Sequence, residues 1–335
     1  MSRTGAEAKP PWSAVPRTVK DEVAKLLGSP VARAARVYGG YAPSATFRVV
    51  LRDGRRVFLK STYPLPTGSA VHWSVDREER FYRSVGERVE RWAPRYFGSF
   101  ERDGWHVLAL EDLGPRSVPP WTHLKMRRAA RDYARFHKRT LGTALPRWLS
   151  RTEHVEFAFW SRLAARGEIR AVASLARRRR DEAEEWLDVA LPLLLDGERR
   201  LARLRGPFAL LHGDTRSDNI RIVGERLRIF DWPFACVGPV EFDLVAFAQT
   251  VAAEGGPAPE EILDEYTRVL PLRDGAIDAS LAGVAGYFAD CAWRPAVRGL
   301  PRLRPWQRRQ LKATLSWLAR RCDLPDPRWL AAVAD

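Results

Sequence analysis

Cysteine is scarce: Cys236, Cys291 and Cys322 are the only three, odd in number and without CxxC spacing, which excludes a disulfide framework and a thiolate zinc site. Long apolar runs are missing too. Nothing approaches the roughly 20 apolar residues of a membrane span, and Met1 to Pro16 holds no apolar signal core. The expectation is a soluble protein of the reducing cytoplasm, with no membrane partner. Lysine is confined to positions 9, 20, 25, 60, 125, 138 and 312, so arginine supplies nearly all the basic charge. The 56 basic residues against 41 acidic ones leave a net +15, which raises the question of nucleic acid. The arginines are scattered, however, and the densest run, Arg177 to Arg180, leads into Asp181, Glu182, Glu184 and Glu185. Charges three and four apart pair on a solvated helix face, so no nucleic-acid partner is expected. The summed field favours a neutral or anionic ligand over a polycation.

What is present divides the chain in two, after a Pro-bearing N-terminal extension over residues 1–30 that includes an amphipathic piece, Val19 to Leu27. Residues 31–113 show short strand signals: Arg36 to Tyr41, Phe47 to Leu51, Val57 to Lys60, Tyr96 to Phe100 and Trp105 to Leu110. Asp53-Gly54 and Asp103-Gly104 are hairpin turns between them, and Ser74 to Trp92 has helical periodicity. From 114 to 335 helical patterns dominate, at about 123–141, 153–166, 170–205, 240–254, 259–269, 276–292 and 305–322. The pattern predicts an α+β, two-lobed protein: a small antiparallel sheet with one helix, then a larger, mainly helical lobe.

One island, Phe208 to Trp232, breaks the helical lobe and carries the chemistry. His212-Gly213-Asp214-Thr215-Arg216-Ser217-Asp218-Asn219 has the spacing H-G-D-x-x-x-x-N, and Ile229-Phe230-Asp231 ends an apolar run on an acid. Two short strands around a three-residue turn, Gly224 to Arg226, set Val223 opposite Leu227 and, counting outward, Asn219 opposite Asp231. Opposed Cβ atoms lie about 4.5–5.5 Å apart, so an amide oxygen and a carboxylate there can share a hard cation such as Mg²⁺. Phosphoryl transfer needs such a metal clamp and a carboxylate to take the incoming hydroxyl's proton. Asp214 is the natural base, and Arg216 can lean on the transferred group as its charge redistributes.

The first lobe offers matching parts. The tract Tyr38 to Thr46, with Gly39, Gly40, Ser44 and Thr46, can bring backbone N–H groups close to phosphate, or can be an ordinary turn. Lys60, a rare lysine at the end of an apolar strand, presents a compact ammonium where a planar guanidinium does not serve. On the helical wheel of Ser74 to Trp92, Glu78 falls in the middle of the stripe made by Val75, Phe81, Val85, Val89 and Trp92. A carboxylate there needs an internal cation. Lys60 is the candidate; the alternative is that Glu78 snorkels at the rim.

The catalytic-loop spacing resembles that of protein kinases, with Gly213 where a kinase has arginine. The HGD form, the Asp231-Trp232 metal acid and the later Gly238-Pro239 and Asp243-Leu244 are similar to the aminoglycoside phosphotransferase/choline kinase-like family, over roughly residues 35–320. The resemblance implies a protein-kinase-like fold and transfer of phosphoryl from ATP, or GTP, to a small-molecule hydroxyl such as that of an antibiotic. It implies Asp214 as base, Asn219 and Asp231 as Mg²⁺ ligands, His212 and Asp243 as braces of the loop, and the Lys60–Glu78 pair. It also implies adenine binding by the backbone of Glu111, Asp112 and Leu113. Acceptor groups would come from Phe234, Glu241, Tyr287, Asp290, Trp293, Arg294 and Arg298. Aromatic rings with few acids point to a neutral acceptor, while the arginines of Trp293 to Arg304 either meet an anionic one or are solvated. Two rival readings stay open: a catalytically dead nucleotide-binding scaffold, and a basic nucleic-acid-binding module.

Overall fold

A computed structural model describes residues 9–38, 44–65, 74–116, 118–150, 156–297 and 300–335. The chain divides into two compact units, one of residues 1–117 with 228–233, the other of 118–227 with 234–335.

The first unit is built on a five-stranded antiparallel sheet, β1 (Val31–Arg36), β2 (Ala45–Leu51), β3 (Arg56–Thr62), β4 (Tyr96–Arg102) and β5 (Trp105–Glu111), in the order β1-β2-β3-β5-β4. Strand alternation splits it into two faces. Phe47, Val49, Leu51, Val57, Leu59, Trp105, Val107 and Ala109 point to one side. Helix α1 (Arg17–Leu27) covers that side with Val19, Val23 and Leu27, so the amphipathic piece expected in an extension belongs to the same core. Lys60 is paired with Leu108 and Thr62 with His106, which puts Lys60 and His106 together on the other face, toward helix α2 (Asp76–Ser84). The first strand, Val31–Arg36, lies ahead of the expected Arg36 to Tyr41, of which residues 39–41 lie outside the described residues. Val-Ala-Arg-Ala-Ala-Arg has no apolar run, and it becomes a strand by backbone pairing with β2 along one edge.

The second unit is mainly helical: α3 (His123–Thr140), α4 (Phe159–Ala165), α5 (Ile169–Ala173), α6 (Arg180–Arg203), α7 (Val240–Ala253), α8 (Pro259–Thr267), α9 (Ala276–Ala292) and α10 (Leu303–Arg321). The expected helix over 170–205 is broken: a 3-10 stretch, Ser174–Arg179, separates α5 from α6, with Arg177 at φ 50°. The arginine run does pair with the acids after it, Arg180 Nε lying 2.8 Å from Glu184. Two small β elements interrupt the helices along the sequence. β6 (Ala209–Leu211) pairs antiparallel with β9 (Cys236–Gly238), while β7 (Ile220–Val223) and β8 (Arg226–Ile229) form a hairpin. Between β7 and β8 only Gly224 and Glu225 remain, with Gly224 at φ 61°. The turn therefore has two residues rather than three, the length whose twist best suits a hairpin. Counting outward from Val223 and Arg226 pairs Ile220 with Ile229, so the expected ladder opposition of Asn219 and Asp231 is corrected: both lie beyond the strand ends. Among the described residues no helix is long and apolar enough to cross a membrane.

Candidate active site

In the first unit Lys60 gathers two acids. Its Nζ lies 2.5 Å from Glu78 Oε2 and 2.6 Å from Asp231 Oδ1. Burial opposes the lysine's charge, yet Asp231 and Glu78 outweigh it and hold the ammonium above its ordinary pKa. For Glu78 burial prevails over Lys60, and Asp231 adds to it, so its carboxyl is pushed up. One ammonium facing two carboxylates leaves an excess of negative charge, and the Asp231 side chain stays 29% exposed. That donor set suits a further hard cation. Asp231 stands at φ 69°, a left-handed conformation that is costly for a non-glycine residue and persists where the surroundings fix it. The surrounding chain holds it there. Trp232 stacks on Phe81 with centroids 4.2 Å apart, the Ile229 N–H donates to Trp92 O at 2.7 Å, and Arg228 donates to Ala93 O at 2.8 Å and to Glu111 at 2.6 Å.

Other first-unit candidates have structural partners. Thr46 donates to Val37 O at 2.8 Å and accepts from Lys9 at 3.3 Å, and Ser44 is buried. The Glu111 carboxylate is taken by Arg228, and that of Asp112 by Arg48 at 2.9 Å and the Gly114 N–H at 3.0 Å. The side chains of the connector are thus occupied by the protein, and Leu113 is half-buried. Gly39, Gly40 and Arg298 lie outside the described residues.

In the second unit the loop after β6 hangs from Asp243, in the first turn of α7. The backbone N–H groups of His212 and Gly213 donate to its two oxygens at 2.7 and 2.9 Å. Tyr133 donates to the same carboxylate at 2.5 Å, and His137 Nε2 lies 3.3 Å away, with its Nδ1 2.7 Å from the Tyr266 hydroxyl. Burial opposes the charge of Asp243, but His137, His212 and Tyr133 hold its carboxyl below the usual range. His212 is fully enclosed, and its Nδ1 accepts the Asp214 N–H at 3.2 Å. Gly213 has φ 78°, and a Cβ there would come within 2.5 Å of Phe234 O, so only glycine fits against that backbone.

Asp214 is fastened on both oxygens. Asn219 Nδ2 donates to Oδ2 at 3.0 Å and to the Asp214 carbonyl at 2.9 Å, and Arg216 Nε lies 3.0 Å from Oδ1. Donation from Nδ2 leaves the amide oxygen of Asn219 as the atom suited to a hard cation. The Arg216 guanidinium lies over Trp306, 5.1 Å from the ring centroid. Aromatic rings continue from there, Tyr287 and Phe159 half-buried and Phe288 buried. Tyr287 contacts Phe159 at 5.4 Å and Phe288 at 5.1 Å, and Phe288 contacts Trp306 at 5.6 Å. Burial, with Cys291 and Asp214 nearby, pushes the Tyr287 phenol up. Phe234 is exposed beside Gly213.

Glu241 is a correction. It is buried and gripped by Arg273 at 2.6 and 3.0 Å, so its carboxylate serves the fold and not an acceptor. Asp290 pairs with Arg294 at 2.7 Å, whose guanidinium packs over Trp293 at 5.0 Å. Sequence reasoning missed Tyr133, His137, Tyr266 and the rings of Phe159 and Trp306. The signal for Tyr133 and His137 was available: polar groups one turn apart within the apolar face of α3, as Glu78 is within that of α2.

A family model described as the phosphotransferase enzyme family, APH, matches residues 34–277. A comparison with curated protein sequences finds no match. Among solved structures, spectinomycin phosphotransferase APH(9)-Ia in complex with ADP and spectinomycin is similar at TM-score 0.61 and 10% identity, covering 89% of this chain and 98% of that one. Aminoglycoside phosphotransferase APH(2'')-Ib, ADP-bound, is similar at TM-score 0.55 and 15% identity, covering 91% and 99%. An aminoglycoside phosphotransferase from Alicyclobacillus acidocaldarius is similar at TM-score 0.55 and 13% identity, covering 86% and 91%.

Proposed function

We propose, for a chain that belongs to the phosphotransferase enzyme family and is thereby a small-molecule kinase, that it moves the γ-phosphoryl group of ATP to a hydroxyl of a neutral or anionic small molecule. The observation that carries this is Asp214, a carboxylate held on one oxygen by Asn219 and on the other by Arg216, on a loop suspended from a buried acid. In this reading Asp214 takes the proton of the acceptor hydroxyl as that oxygen attacks phosphorus. Lys60 binds the phosphates, kept charged by its two acids and kept in place by Glu78. Arg216, backed by Trp306, meets the charge that develops on the transferred group. Asn219 and Asp231 would hold Mg²⁺, which when bound offsets phosphate charge. His212 and Asp243 position the base without touching the reactants. Two of the similar structures hold ADP, which supports a nucleotide donor.

The acceptor side is read from Tyr287, Phe159, Trp306 and Phe234, rings that offer stacking surface, and from the removal of Glu241 from the acids available to a cation. An acceptor with an apolar or ring face, such as a glycosylated antibiotic or sugar-bearing metabolite, suits these groups better than a polycation. The test is a screen of alcohols from several antibiotic and metabolite classes with purified protein and Mg²⁺–ATP, read by mass. A gain of one phosphoryl group on a neutral or anionic compound is expected. Turnover confined to polycationic aminoglycosides would overturn the acceptor assignment.

A further inference from the structure

We propose that His106 is a positioning residue that clamps α2 to the sheet and so sets Glu78 against Lys60. Its catalytic consequence rests on the phosphotransferase reading; the clamp itself does not. The imidazole is almost enclosed, its side chain 10% exposed, and each ring nitrogen meets an acid of α2: Nδ1 lies 2.8 Å from Asp76 Oδ1 and Nε2 lies 2.6 Å from Glu79 Oε2. Asp76 and Glu79 are three apart, one turn of one helix face. Glu78 stands between them in the sequence and reaches Lys60 on the same sheet face. Lys60 and His106, on neighbouring strands, therefore meet three carboxylates from the opening turn of α2. Glu79 is itself anchored, accepting from Ser99 at 2.5 Å and from Arg83 at 2.7 Å, so the ring grips a fixed acid.

Ionised carboxylates only accept hydrogen bonds, so both contacts require both ring nitrogens to donate. Among the described residues the charged groups facing the ring are Asp76 and Glu79 from α2 and Glu101 from β4, the last 3.5 Å from Nδ1. Arg83 reaches it only through Glu79, and Lys60 lies on the adjoining strand β3.

The test uses the full chain without ligand, together with His106→Gln and Glu79→Gln. Amide exchange over α2, corrected for intrinsic chemistry and referred to β5, is compared among them. Wild-type protection should exceed that of His106→Gln, which can serve one acid at a time, by about tenfold, the worth of one charge-assisted hydrogen bond. Glu79→Gln, which takes away one acid of the pair, should fall in the same direction. Protection over α2 in His106→Gln equal to that of the wild type overturns the clamp. Calorimetric titration of the same proteins with Mg²⁺–ATP separates the two claims. Affinity that follows the exchange profile supports the link to Lys60, and affinity indifferent to it overturns that link. If none of the proteins binds nucleotide, the phosphotransferase reading fails and exchange alone still decides the clamp.

Discussion

At the scale of single residues, Asp214 and Asp231 occupy different chemical situations and should fail differently. Asp214 touches Asn219 and Arg216, so Asp214→Ala should lower kcat by about 10²–10⁴, as for loss of a general base, with Mg²⁺–ATP affinity preserved in calorimetry. Asp231 is a partner of Lys60 and a proposed metal ligand, so Asp231→Ala should abolish Mg²⁺-dependent nucleotide binding in the same titration. Asp243 gives a pH prediction. Its folded-state pKa is depressed, so its contribution to stability is full above the ordinary carboxylate value and is lost as pH falls through the depressed one. The acid limb of a thermal-stability profile, below about pH 4, should be shallower in Asp243→Asn. Much of this was legible from spacing: the H-G-D-x-x-x-x-N pattern isolates the loop, and a lone lysine among arginines isolates position 60. That Tyr133 and His137 meet at Asp243 was not, because they reach it, and Tyr266 reaches His137, across long sequence separations. Glu241 misled for the same reason, its partner Arg273 lying 32 residues away.

At the scale of elements, periodicity located the helices well and strands less well. α7 and α9 sit where the apolar repeat puts them. β1 and β9 have little sequence signal because a short strand at an edge is made by its neighbour's backbone, not by its own apolar residues. The hairpin β7–β8 shows how a one-residue change in turn length cancels an argument from register. Helix α1 carries an element-level prediction. Leu27 is 5% exposed in the core that includes Phe47 and Trp105. Leu27→Ala should cost about 2–5 kcal/mol in denaturant unfolding. A cost near zero would mean that residues 17–27 are an appendage.

At the scale of the whole molecule, the net charge of +15 acts on encounter and not on fold. For an anionic acceptor kcat/KM should fall as salt rises, while for a neutral acceptor it should stay flat. A gel-shift titration should show no steep salt-dependent binding to DNA, the signature a nucleic-acid module would give. The division into units has its own consequence. Residues 228–233 belong to the first unit although the chain on either side belongs to the second. A contiguous fragment ending at residue 117 therefore lacks the acid at 231 and the indole that lies against Phe81. The Lys60 cluster cannot be cut out of this protein as one piece of chain: its unit is written in two places along the sequence, and the second stretch carries the missing line.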